Sequence, residues 1–156
     1  MSHNIAIRFA GVSHELVATY GYTISSTGDD DISIIGSGVA LDGGRVDEVQ
    51  AAYVGLISAL EELILKGHSG DSLSLLLRTH HLAIDSHLQR KWQVAEDSPR
   101  YPLYRKTLSL LEHFGPVSTG YVQEVLAKNE THLAEQSYAD YTGKPIPHWW
   151  NRQNPT

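Results

Sequence analysis

Asp47-Glu-Val-Gln-Ala-Ala-Tyr-Val-Gly-Leu-Ile-Ser-Ala-Leu-Glu-Glu-Leu-Ile-Leu65 is the stretch that decides the fold. Its apolar residues Ala51, Val54, Leu56, Ile57, Leu60, Leu63 and Ile64 recur at helical spacing, while Glu61 and Glu62 face outward. A helix of this kind needs a layer to cover, and Gly67 ends it. The chain before it has a different rhythm. Residues 5–9 (Ile-Ala-Ile-Arg-Phe) and 17–25 (Val-Ala-Thr-Tyr-Gly-Tyr-Thr-Ile-Ser) are β-rich runs. Turn chemistry at residues 26–31 (Ser-Thr-Gly-Asp-Asp-Asp) separates them from Ile32-Ser-Ile-Ile, which residues 36–41 extend. The pattern predicts a three-strand antiparallel meander, closed by Asp42-Gly43-Gly44 and covered by the helix.

Downstream the two periods alternate. Residues 72–77 read as a buried strand, 80–94 as a helix-like stretch, and 103–114 as a helix after the helix-resisting Ser98-Pro99. A fifth strand is expected at 117–122 and a last helix at 128–138. This order implies an α/β fold, a mixed five-stranded sheet with helices on its faces. Residues 1–140 are expected to form the domain, and 141–156, with three prolines and no periodicity, a separate C-terminal arm.

Gross composition narrows the chemistry. The absence of cysteine in 156 residues excludes disulfides, thiol catalysis and cysteine-ligated zinc. A polar start and the lack of any long apolar run argue against a signal peptide or membrane span, so no membrane partner is expected and a reducing cytoplasm is the expected compartment. The net charge of −6 gives no global pull toward nucleic acid, so any such binding must come from a local patch.

Several stretches, taken in order, resemble the ribonuclease H type 1 family. Arg8-Phe-Ala-Gly11 sits where that family shows an aromatic or aliphatic residue and then Asp-Gly. Tyr20-Gly21-Tyr22 matches the Tyr-Gly opening of its second strand, and Ala52-Tyr-Val-Gly-Leu-Ile-Ser-Ala-Leu60-Glu61 its first helix. Leu76-Leu-Arg-Thr-His-His-Leu82 is similar to the strand end that delivers Asp-Ser, and Asn129-Glu130-Thr131-His132-Leu133 to the turn that opens the last helix. The likeness covers about residues 4 to 140. It implies an RNase H-like sheet and an endonuclease for RNA/DNA hybrids using Mg²⁺ or Mn²⁺ on four carboxylates. The four positions here read Ala10, Ala52, Thr79 and Leu133, and the family's mobile His is missing from residues 126–128. Methyl groups do not ligate metal, so a pseudoenzyme is expected, with no catalytic residues and no cofactor.

Few residues could restore chemistry. Glu48 lies one helical turn before Ala52 on the same face, a possible displaced ligand for a rebuilt Mg²⁺ or Mn²⁺ site. Asp85 and Glu135 lie too far along or around their helices. His80, His81, Asp85 and His87 have spacing that a zinc or nickel site could use, against the plainer reading of a partly solvated helix start. Ser13-His14-Glu15 has triad residue types, but adjacent residues do not converge on one substrate atom. Gly36, Gly38, Gly43 and Gly44 fit no phosphate-binding fingerprint and read as bulges or turns.

Function is then left to surfaces. Five of the twelve cationic residues, Arg90, Lys91, Arg100, Arg105 and Lys106, fall between positions 90 and 106 with Trp92, Tyr101 and Tyr104 among them. Cations hold phosphates and aromatic faces stack on bases, so these residues are nucleic-acid-binding candidates, near the family's basic, Trp-containing handle. Trp149 and Trp150 in the proline-bounded tail are candidates for protein contact. Three readings compete: an inactive module acting as a structural or nucleic-acid-associated subunit of a larger assembly, with RNA, DNA, a hybrid or protein subunits as partners; an active ribonuclease H with a rebuilt site; and a protein-binding adaptor with no nucleic-acid role.

Overall fold

The computed structural model describes residues 3–27, 32–43 and 47–144. Strand β1 (His3–His14) pairs antiparallel with β2 (Val17–Thr27), and β2 with β3 (Ser33–Asp42), forming the expected meander. Glu15 and Leu16, at φ 48° and 69°, make the tight connection between β1 and β2. Two such residues suit the right-handed twist of a hairpin, and Gly43 N–H donates to Leu16 C=O at 2.7 Å to fasten it. Strands β4 (Leu73–Thr79) and β5 (Val117–Tyr121) then run parallel to β1, giving the order β3-β2-β1-β4-β5.

Helix α1 (Glu48–Leu65) starts at a capping box. The Asp47 carboxylate accepts from Gln50 N–H at 2.7 Å, while the Gln50 side chain accepts from Asp47 N–H at 3.0 Å. Its apolar stripe carries Tyr53, Leu56, Leu60 and Leu63 onto Ile5, Ile7, Phe9, Tyr22, Ile24, Leu75 and Leu77, and these side chains form the main core. Helices α2 (Leu82–Leu88) and α3 (Tyr101–Leu111) stand beside α1. Helix α4 (Lys128–Thr142) covers the opposite face of β1 to β3 and stops at Gly143, whose φ of 77° closes the last turn.

Two glycines set how closely the helices approach. A Cβ on Gly11 would collide with the backbone of Glu48 and Ala52, and one on Gly21 with the backbone of Glu130 and Ala134. The first clamps α1 to β1 and the second clamps α4 to β2.

The structure departs from the sequence pattern at one important place. The helix-like stretch 80–94 contracts to Leu82–Leu88, because Arg90 adopts φ 61° and turns the chain back. Lys91 and Trp92 N–H groups both donate to Ser86 C=O, at 2.9 and 3.2 Å, which places the tryptophan beside α2 rather than along it. Helix α4 also runs past 138 to Thr142. Among the described residues no helix is long and apolar enough to cross a membrane.

Candidate nucleic-acid interface and the neighbouring strand ends

The parallel strands β1, β4 and β5 end on the same side of the sheet, where residues following neighbouring strands gather. Ala10 pairs with Gly21 across the β1–β2 ladder, and Gly21 lies against Leu133 of α4. The structure therefore brings Ala10 and Leu133 together, a methyl and an isobutyl group on the α4 side. It does not bring Thr79 there. Thr79 shares the face of the core residues Leu75 and Leu77, is buried toward α1, and its hydroxyl accepts from His81 N–H at 3.1 Å. Ala52 is fully buried behind Gly11, on the α1 side. The register that sets Arg8 opposite Arg78, continued two places, brings His80 level with Ala10. His80 is the residue that follows the end of β4, one place beyond Thr79.

Two pairwise approaches occur near these strand ends, Glu48 with Glu124 and Glu124 with His80. Burial pushes the Glu48 carboxyl above the usual range, with Asp47 beside it adding to the effect. Burial and then the charge of Glu48 push Glu124 up, on the 3-10 turn Glu124–Ala127 that follows β5. His80 Nε2 lies 3.8 Å from the Glu124 carboxylate, and burial pushes the imidazole down so that it is neutral. Sequence reading singled out Glu48 but missed Glu124. The available signal was its position directly after a parallel strand end.

These donors do not fit a two-metal site. Ala10 and Leu133 offer no oxygen, Thr79 points the other way, and among the described residues no group of three or more His, Cys, Asp or Glu is arranged to hold an ion. His80 and His81 lie ring to ring at 4.0 Å, but Asp85 and His87 are engaged elsewhere. His81 Nε2 accepts from Gly11 N–H at 3.1 Å, and burial pushes its pKa to about 3. Asp85 accepts from the Gln89 side chain at 2.8 Å, and His87 shares a hydrogen bond with Tyr53. His14 lies 3.7 Å from Glu15 and meets Tyr138 edge-on.

The cationic residues resolve into two groups. Arg90, Lys91, Trp92 and Arg105 line one cavity of about 550 Å³ together with Tyr101 and Tyr104. A second cavity of about 560 Å³ shares Arg90 and Arg105, and a third of about 440 Å³ carries the hollow from Arg90 to Val117 and Thr119 on the β5 edge. Gln89, donating to Thr119 C=O at 3.3 Å, ties the end of α2 to that edge. Arg100 and Lys106 belong elsewhere. Arg100 pairs with Asp47 at 3.1 Å, binding α3 to the cap of α1, and Lys106 reaches Glu61 at 3.6 Å.

The aromatic wall stands on a buried pillar that the sequence did not reveal. Tyr53 Oη and His87 Nδ1 are 2.9 Å apart, and His87 meets Trp92 and Tyr104 edge-on at 6.4 and 6.3 Å. Burial, and then the Arg100 charge, push His87 down, so the pillar is neutral. Trp92 is 50% exposed above it. Trp149 and Trp150 lie outside the described residues.

No protein-family model matches the sequence, and no curated protein matches it. Solved structures do match in shape. A type 1 RNase H of the halophilic archaeon Halobacterium salinarum superposes with a TM-score of 0.73 at 23% identity, over 88% of this chain and 98% of that one. The N-terminal RNase H domain of a Mycobacterium tuberculosis protein, solved as a maltose-binding-protein fusion, gives 0.75 at 18% identity over 92% and 100%. A type 1 RNase H solved with an RNA/DNA hybrid gives 0.70 at 18% identity over 88% and 98%. The chain has the RNase H fold.

Proposed function

We propose that this chain is a nucleic-acid-binding module on the RNase H fold that does not perform metal-dependent cleavage and serves as a subunit of a larger assembly. The observation that carries the reading is the single groove in which Arg90, Lys91 and Arg105 lie with Trp92 and Tyr104, on a protein whose overall charge is −6. An acidic protein that gathers cations and aromatic rings in one hollow has there the local chemistry for phosphate and base. The apolar pair Ala10 and Leu133 supports the absence of cleavage. That one neighbour in shape was solved with an RNA/DNA hybrid supports a nucleic acid as the ligand. Trp149 and Trp150 are assigned to protein contact, and the cytoplasm is the compartment in which the module works.

Charge reversal tests the binding claim. R90E with R105E is expected to weaken binding of RNA, DNA or hybrid by tenfold or more and to lower the salt slope by roughly two. R100E, which breaks a structural pair, is expected to lower thermal stability instead. Unchanged affinity in the double variant would favour the adaptor reading.

A further inference from the structure

We propose that the groove between α2 and α3 is a stacking site for an unpaired nucleobase, so that the ligand this module prefers is single-stranded nucleic acid. The inference rests on the nucleic-acid reading above and narrows it. A paired base has both faces covered by its neighbours, and a duplex offers a protein only its backbone and the edges in its grooves. The groove here has a volume of about 550 Å³ and is open to solvent over a large part of its surface, so a base can enter it from the side.

Its walls match a base. Trp92 is half exposed, and Tyr101 and Tyr104 share the cavity with it. The faces of such rings gain most from a flat aromatic partner, and any base supplies one. The wall is also built before the ligand arrives, since His87, anchored on Tyr53 at 2.9 Å, braces both Trp92 and Tyr104.

The charges are sorted in the same sense. Arg90 and Arg105 stand where the first cavity opens into the second, the place for phosphates on either side of the base. Glu96 stands in the wall of the first cavity. A carboxylate there repels a phosphate but accepts from the exocyclic amino group of a base. Arg90 also holds φ 61°, a left-handed conformation that glycine adopts without strain. That φ belongs to the turn that ends α2, where Lys91 N–H donates to Ser86 C=O at 2.9 Å, and it sets Arg90 at the rim of the groove.

The test is fluorescence anisotropy on the full chain, with a short labelled strand offered alone, as a DNA duplex and as an RNA/DNA hybrid across a salt series. The expected result is tighter binding of the single strand. W92A should weaken that binding about tenfold or more with the salt slope unchanged, W92F should recover most of it, and duplex binding should not respond. Tighter binding of duplex or hybrid, indifferent to W92A, would overturn the stacking site while leaving the nucleic-acid reading in place. Failure of all three ligands to bind would overturn both.

Discussion

His81 shows how one side chain links strand end, core and acid stability. Its imidazole must stay neutral to accept from Gly11 N–H, and burial holds its pKa at about 3 against an ordinary 6.5. Between those values the unfolded chain takes up a proton that the folded protein refuses. Stability therefore falls as pH drops below 6.5 and stops falling from this source near 3. H81Q keeps an acceptor and removes the titration, so its stability should fall less steeply over that range in urea melts taken at successive pH values. Glu130 works in the opposite direction. It is 2% exposed, its Oε1 makes no hydrogen bond among the described residues, and burial raises its pKa despite the opposing charge of Arg8. The folded protein keeps that proton longer, so stability is lost as pH rises above 4.5. E130Q should raise the melting temperature by a few degrees at pH 8 and by little at pH 4.5. Arg90 separates function from stability. R90G relieves a positive φ and should cost no stability, whereas R105G, inside α3, should cost about 1 kcal/mol. Both should weaken nucleic-acid binding in the same anisotropy assay.

The meander and α1 are legible in the sequence because their hydrophobic periods of two and 3.6 are strong and run for many residues. The short α2 was not legible. Nothing in the local pattern of residues 80–94 announces that Arg90 will reverse the chain, and the reversal depends on two N–H groups sharing Ser86 C=O. The strand-end site was only partly legible for a similar reason. Successive side chains in a strand alternate faces, so an offset of one residue exchanges Thr79 for His80 at the position beside Ala10, and only the pairing with β1 fixes that offset. Arg100 and Arg105 look alike in sequence, yet one pairs with the cap of α1 and the other lines the groove. Helix placement in turn depends on the two glycines. A methyl at Gly11 or Gly21 would overlap backbone atoms that cannot rotate aside, so G11A and G21A should each cost about 1–3 kcal/mol in equilibrium unfolding.

For the molecule as a whole, a net charge of −6 means that the proposed nucleic-acid binding must come from a local cationic patch, and binding of that kind is sensitive to salt. The same fold places Glu124 near Glu48 and near His80 at the strand ends beside the apolar pair Ala10 and Leu133. On the proposed reading, this arrangement holds nucleic acid without cutting it. The most direct measurement incubates the purified wild-type chain with single-stranded nucleic acid and with RNA/DNA hybrid, scoring binding and cleavage together in Mg²⁺, Mn²⁺ or chelator. Binding that chelator does not change, with no cleavage above the no-protein control, is the expected result. Metal-dependent cleavage that disappears in E48Q would contradict it and establish a rebuilt nuclease site.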